Sequence, residues 1–309
     1  MHVSPVESCV MSAVPPDDGA RAVQLACRIG GISIGLFAPP YMQLALDPEM
    51  MAFRVGGATV DVRLDVDWAD HLEMPPGTPL FESGGLWSLF AERGGYSFYF
   101  RTSFLGDAPY KAAWIDPGFR RGRVALLRRC FDETQAVNPL EYPLDELLAI
   151  HRLSLGEGVE VHALGVADEF NRGHLFVGHS GAGKSTSARL WQKRPGARVL
   201  SDDRIILRSE SGRTRMYGTP WHGDAGLALA DSADLNAIYL LQHGTRNELS
   251  LMQPGRAAAE LFARSFVPHH SADGLASTLQ ILDRITREIP CFLFRFVPDQ
   301  SAVEMIYRA

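Results

Sequence analysis

The chain has 309 residues, with 30 Lys+Arg against 36 Asp+Glu and a formal charge of −6. Hydrophobic residues make up 46% and charged residues 21%, which excludes a chain too polar to collapse. The acidic balance argues against a nucleic-acid module, which carries a basic face. Among the bases, only Lys111, Lys184 and Lys193 are lysines.

Residues 1–20 hold Glu7, Asp17, Asp18 and a Pro15-Pro16 pair, with no basic start and no apolar run. They read as a flexible N-terminus rather than a signal peptide. Residues 29–46 are uncharged but broken by Gly30-Gly31, Gly35 and Pro39-Pro40, so no membrane span is expected. Residues 21–140 predict a β-rich, antiparallel domain. Stretches 22–29 and 58–66 alternate polar and apolar residues, and 86–90, 96–100, 111–115 and 124–127 follow between glycine-containing turns. Their aromatic residues read as core packing rather than as a stacking platform for bases.

Near residue 140 the pattern changes, and residues 141–309 read as an α/β domain. A helix is predicted over 143–152, and short apolar strands alternate with helices from residue 159 onward. Further helices are expected over 257–266, after a Pro254-Gly255 break, and over 271–288. Residues 291–297 read as a buried strand. Cys9, Cys27, Cys130 and Cys291 lack any CxxC spacing, so neither zinc nor a disulfide framework follows, and a reducing, cytoplasmic setting is expected. Residues 1–150 hold 12 bases and 19 acids, and residues 151–309 hold 18 and 17. The acidity belongs to the front half, leaving the back half free to handle an anion.

One motif in the back half carries chemistry. Leu175-Phe176-Val177 runs into Gly178-His179-Ser180-Gly181-Ala182-Gly183-Lys184-Ser185-Thr186, a GxxxxGK[ST] phosphate loop after an apolar strand and before a helical segment. Its glycines let backbone N–H groups turn inward, and the following helix adds the positive end of its dipole. Lys184 is expected on the β- and γ-phosphates and Ser185 on Mg²⁺. His179 sits at a variable loop position and is expected to make only local contacts. The loop recognises phosphates, so ATP and GTP both remain open.

Downstream, Ser201-Asp202-Asp203-Arg204 places two carboxylates at the end of an apolar strand. Such carboxylates can hold Mg²⁺ or take a proton from a nucleophile. On an extended strand they would face opposite ways, which predicts one of them in the site. Arg204 could neutralise charge on a transferring phosphoryl group. Tyr217-Gly218-Thr219-Pro220-Trp221-His222-Gly223 specifies an irregular connection in which Trp221, His222 and Gly223 could line a substrate pocket. His269-His270 lacks a third ligand at metal spacing.

The phosphate loop followed by Asp202-Asp203 resembles the HPr serine kinase family, whose catalytic domain is similar to the nucleotide-binding core of phosphoenolpyruvate carboxykinase. His162 stands before Gly178 at a spacing similar to that of the family's active-site histidine. The likeness covers roughly residues 155–300. It implies a P-loop kinase domain, with Asp202 as general base, His162 and Lys184 in the catalytic group, Ser185, Asp202 and Asp203 around Mg²⁺, and a homo-oligomer. The chain departs from the family where an acidic residue would follow the loop serine, since Thr186 stands there. No stretch resembles the glycine-rich segment of the phosphate-removing reaction, and the front domain resembles no regulatory domain of the bifunctional enzymes. The 217–223 segment and the strand after it look like the smaller HPr-kinase-like proteins, including kinases that tailor lasso peptides. The sequence thus predicts a Ser/Thr kinase, dependent on ATP (or GTP) and Mg²⁺, acting on a peptide or protein without nucleic acid or membrane. A kinase of a small hydroxylated metabolite and a nucleotide-binding regulator without transfer activity are the alternatives.

Overall fold

A computed structural model describes residues 21–57, 59–106 and 108–308. The stretch 1–20, expected to be flexible, lies outside the described residues. Two compact units divide the chain: one runs up to Cys27 and takes in Ile32–Asp47 and Arg54–Glu141, while the other comprises Arg28–Gly31, Pro48–Phe53 and Tyr142–Ala309. The fold is mixed α/β with two sheets.

The first sheet has eight strands: β1 (Leu25–Ile29), β2 (Ile32–Phe37), β3 (Val62–Ala69), β4 (Phe81–Glu82), β5 (Trp87–Glu92), β6 (Gly95–Phe100), β7 (Lys111–Ile115) and β8 (Arg121–Leu127). Their order is β1-β2-β3-β8-β7-β6-β5-β4. From β8 to β4 neighbours are antiparallel, but β2–β3 and β3–β8 are parallel. The sheet is therefore mixed, not antiparallel throughout. Period-two alternation reports a covered face and carries no information about a neighbour's direction. A long connection from β2 to β3 leaves room for the parallel return. β3 shows the expected alternation of buried and half-buried residues, whereas β7 is buried along its whole length.

Lys111 opens β7 with a side chain that is 0% exposed. Its ammonium lies 3.1 Å from Glu141 Oε1 and 4.5 Å from the Phe100 ring centroid, and it donates to the Glu141 carbonyl at 3.3 Å. A charge this deep persists only because a carboxylate, a carbonyl and an aromatic face replace its hydration.

The second unit contains α1 (Leu144–Leu153), β9 (Val159–Ala167), β10 (Arg172–Val177), α2 (Lys184–Gln192), β11 (Arg198–Ser201), β12 (Arg204–Glu210) and β13 (Arg213–Gly218). It continues through β14 (Ser232–His243), β15 (Glu248–Leu251), α3 (Pro254–Phe262), β16 (Ser265–Phe266), α4 (Ala272–Glu288), β17 (Cys291–Phe296) and α5 (Gln300–Arg308). The strand path β10-β9-β12-β13-β14-β17-β15 turns back on itself, because β14 also pairs in parallel with β10. β14 and β17 are parallel as well. Three strand ends, Val177, His243 and Phe296, therefore gather on one edge, where open α/β sheets place ligands.

α3 begins at Pro254 and ends at Phe262, earlier than the helix predicted over 257–266. Proline fits the first helical position, where no intrahelical N–H partner is needed, so Pro254 starts the helix instead of marking a break before it. Residues 265 and 266 pair with β9 as β16.

The sheet is covered on both faces, as alternation along β10 requires. Leu175 and Val177 pack in one cluster with Leu282, Ile285 and Ala257 of α4 and α3. Phe176 packs in the other with Trp191 of α2, Tyr239, Phe294, Phe296 and Ile306 of α5. No helix among the described residues is long and apolar enough to cross a membrane.

The Lys111 pair yields an asymmetric prediction. Glu141→Ala strands a buried ammonium and should cost about 3–5 kcal/mol. Lys111→Met removes the charge and leaves a carboxylate with a side chain 33% exposed to water, so it should cost clearly less. Urea unfolding of both variants tests that order; equal losses would contradict it.

Candidate active site

β10 delivers Val177 to the loop Gly178–Gly183, and α2 starts at Lys184. Gly183 caps the helix with φ +103°, and a Cβ there would stand 2.5 Å from the Phe296 ring. A Cβ on Gly178 would stand 2.6 Å from Ala182 Cβ. Both positions exclude any larger residue, so the tight turn is a steric requirement of the core beneath it. The Ala182 N–H donates to the His179 carbonyl at 3.0 Å, and His243 at the end of β14 contacts the Gly181 carbonyl at 3.0 Å. Ser180, Gly181 and Gly183 of the loop line one cavity with Lys184, Ser185 and Thr186 of the first turn of α2, whose N–H groups have no helical partners.

Lys184 donates to the Gly178 carbonyl at 3.0 Å and is only 7% exposed. Burial pulls its ammonium below the usual lysine range, against the opposing attraction of Asp203. A half-desolvated cation at a helix N-terminus is the arrangement that attracts a polyphosphate.

A cavity of about 450 Å³ joins this loop to the Asp-Asp turn. Lys184, Ser185, Thr186, His162, Asp202 and Asp203 all line it, together with Gly223 and Asp224. Both aspartates reach the cavity, contrary to the expectation that one would. They occupy a bend between the end of β11 at Ser201 and the start of β12 at Arg204, and strand alternation does not hold in a bend.

The two carboxylates have different partners. Asp202 is 2% exposed and accepts N–H bonds from Gly223 at 3.0 Å, Ala225 at 2.9 Å and Leu227 at 3.3 Å. Its oxygens organise the loop that follows β13. Asp203 faces His162, whose Nε2 lies 2.8 Å from Oδ1, while Arg204 Nη1 donates to Oδ2. Burial pushes the Asp203 carboxyl upward, but the His162 hydrogen bond and the Arg204 and Lys184 charges bring it below the usual carboxylate range.

Arg204 does not line the cavity. Its guanidinium is committed to Asp203, to Glu146 Oε1 at 3.0 Å and to the Phe266 ring, 4.1 Å from its centroid. A guanidinium held by these partners is not directed into the cavity, which differs from the expectation from sequence. Trp221 is also turned away: its indole N–H donates to Asp145 Oδ2 at 2.7 Å. His222 is exposed and contacts the Gly223 carbonyl at 3.1 Å. Of the segment 221–223, Gly223 alone borders the cavity. His179 is exposed beside the Ser180 carbonyl, at 2.7 Å, and stays outside the cavity lining.

Asp145, Glu146, Glu160 and Asp224 are not among the residues that the sequence motifs single out. Glu160 carried a legible signal, because it alternates with His162 among the apolar residues Val159, Val161 and Ala163. Asp145 and Glu146 gave none, since acids in a first helical turn are commonplace.

No family model matches the chain, and no curated protein matches it. Among solved structures, the Hpr(Ser) kinase/phosphatase from Coxiella burnetii is similar over 48% of this chain and 93% of its own. The two are 16% identical, with a TM-score of 0.29.

Two predictions follow from the carboxylates. Asp202→Asn turns amide hydrogens toward backbone donors and should weaken those bonds by about 1–3 kcal/mol. Hydrogen exchange at Gly223, Ala225 and Leu227 should accelerate while exchange in the β14 core stays unchanged. Asp203, with its depressed pKa, adds stability above the ordinary carboxylate value of about 4, and that contribution drains as pH falls through the lower folded value. The stability curves of wild type and Asp203→Asn should therefore converge on acidification below about pH 4.

Proposed function

We propose that this site transfers the γ-phosphoryl group of ATP or GTP to a hydroxyl group, with a serine or threonine of a peptide or protein as acceptor. The observation that carries the proposal is the single cavity shared by Lys184 and the glycine loop on one side and the His162–Asp203 pair on the other. An anion cradle alone would serve a nucleotide-binding regulator. A hydrogen-bonded carboxylate–imidazole pair in the same cavity provides the proton acceptor that transfer needs.

The residues fit the nucleotide. The glycine turn packs so tightly on Ala182 and Phe296 that Cβ atoms at Gly178 and Gly183 would collide with them, and it ends on the first turn of α2. This is a P-loop in the functional sense proposed here. Loop amides would hold the phosphates, with Lys184 released from the Gly178 carbonyl to reach them. Among the described residues no group of three or more His, Cys, Asp or Glu is placed to hold a metal alone. Ser185 and the Asp202–Asp203 carboxylates offer hard oxygen donors that suit Mg²⁺ only jointly with phosphate oxygens, the ordinary mode for that ion. When bound, Mg²⁺ would neutralise charge on the phosphates.

The acceptor hydroxyl would enter beside Gly223 and give its proton to Asp203. Asp202, its oxygens already accepting three N–H bonds, shapes the wall against which the acceptor rests. This divides the roles differently from the assignment of Asp202 as base. The departure at Thr186 leaves a hydroxyl where an anion would repel phosphate. Phosphoryl transfer asks mainly for positioning and charge stabilisation, and rigid partners for each carboxylate meet that need.

The test is to incubate the protein with Mg-ATP and a library of serine- and threonine-containing peptides, beside a panel of hydroxylated metabolites, and to look for a gain of one phosphate by mass. Lys184→Ala should weaken ATP binding at least tenfold, and Asp203→Asn should lower kcat by about 10²–10⁴ with ATP affinity retained. Phosphorylated metabolites with untouched peptides would replace the acceptor class. ATP binding and turnover unaffected by Lys184→Ala would overturn the reading.

A further inference from the structure

We propose that Glu146 and Glu160 are positioning residues that hold the Arg204 guanidinium against Asp203 and so fix the Asp203 carboxylate in the cavity. The inference rests on the reading of the cavity as a phosphoryl-transfer site and adds a second layer of residues to it.

The geometry is a ladder built across three strands. Arg204, at the start of β12, pairs with His162 on β9, and Phe266 of β16 pairs with Glu160 on the same β9. Glu160 and His162 are two residues apart and share a face. The Arg204 guanidinium therefore lies beside Glu160, with Nε 3.5 Å from Oε1, and over the Phe266 ring. Glu146 comes from the first turn of α1 and meets the same Nε at 3.0 Å. The Arg204 backbone is pinned as well, since its carbonyl accepts from Thr219 Oγ1 at 2.8 Å. With Nε held from behind, the planar fork leaves Nη1 directed at Asp203 Oδ2. His162 holds the other oxygen. Neither oxygen of Asp203 can then swing to Lys184, the cation that attracts it across the cavity.

The two glutamates have different parts in this arrangement. Glu160 is 0% exposed. Burial, reinforced by the neighbouring Glu146 charge, holds its carboxyl well above the usual range, and neither of its oxygens has a hydrogen-bond partner among the described residues. Two carboxyl groups in contact inside a protein do not both ionise. Glu146 accepts from Arg204 Nε at 3.0 Å, while Glu160, the more deeply buried of the two, favours its neutral form. Glu146 thus takes the Arg204 Nε hydrogen, while Glu160 backs the same Nε at 3.5 Å.

This division separates the proposal from ordinary buried packing, because glutamine can stand in for a neutral acid beside Arg204 but weakens the charge-assisted bond that Glu146 accepts. ATP turnover is measured as phosphate release from Mg-ATP with water as acceptor, in the full chain. Glu146→Gln should lower kcat about 10–100-fold, the scale of a misplaced catalytic group, with KM for ATP within about threefold of wild type. Glu160→Ala should lose a similar factor and Glu160→Gln should restore most of it. The crystal structure of Glu146→Gln should show the Asp203 carboxylate turned away from His162. Wild-type kcat in Glu146→Gln, equal losses in the two Glu160 variants, or an unmoved Asp203 would each overturn the inference. If wild type binds ATP but releases no phosphate, the transfer reading fails, and the position of Asp203 in the variant structure still decides the inference. Should Glu146→Gln not fold, Arg204→Lys takes its place. A lysine carries the charge but cannot bridge Glu146 and Asp203, so its kcat should fall by the same factor, and a wild-type kcat would overturn the inference.

Discussion

Bringing an ammonium, two carboxylates and an imidazole into one half-buried cavity without letting them neutralise one another is the constraint on which the second unit depends. Opposite unit charges 4 Å apart attract by about 4 kcal/mol at the effective dielectric of a protein surface. Lys184 and Asp203 would close on each other if both were free. The fold prevents this by giving each charge a nearer partner: Lys184 has the Gly178 carbonyl, Asp202 has three backbone N–H groups, and Asp203 has His162 and Arg204. These partners come from the loop after β10, the loop after β13, β9 and β12, so the site is only as rigid as the sheet that carries them.

The sheet supplies that rigidity through β14. This twelve-residue strand pairs with β13 near its start, with β17 near its end and with β10 along the other edge. It thereby links the strand that feeds the glycine loop to the strand whose Phe296 lies beneath Gly183. β9 does the same on the opposite side, carrying Glu160 and His162 to β12 and β16. The aromatic cluster of Phe176, Trp191, Tyr239, Phe294 and Phe296 fills the space under the loop and α2. Close packing of such rings fixes the loop's height, because a shift of the backbone would open voids among them.

How much of this could be read in the residues varies with the range of the interaction. The strand–loop–helix succession around Gly178 to Ser185 is local, so spacing and residue type sufficed to place it. The strand at Cys291–Phe296, of which Cys291, Phe294 and Phe296 are buried, and the helix at Ala272–Glu288 are likewise legible, from apolar run and periodicity. The start of α3 is not legible, because proline serves equally as a breaker and as a first helical residue. The parallel pairs in the first sheet were hidden, since one strand's pattern is the same whichever way its neighbour runs. Trp221 reads as a pocket residue in the chain, yet Asp145, 76 positions away, takes its indole N–H.

The sequence by itself determined which groups could do chemistry: a lysine retained among arginines at the end of a glycine loop, a pair of aspartates, and a histidine on a strand. It determined these because glycine, lysine and aspartate at such spacing answer to steric and charge demands that act within a few residues. Only the tertiary structure decided how the groups divide the work. Whether Asp202 or Asp203 faces a partner with a proton to share depends on the loop after β13 and on β9. Arg204 is withdrawn from the cavity by glutamates 58 and 44 positions away. Side-chain charge is written in the chain, but what each charge can reach is set by the surfaces folded against it.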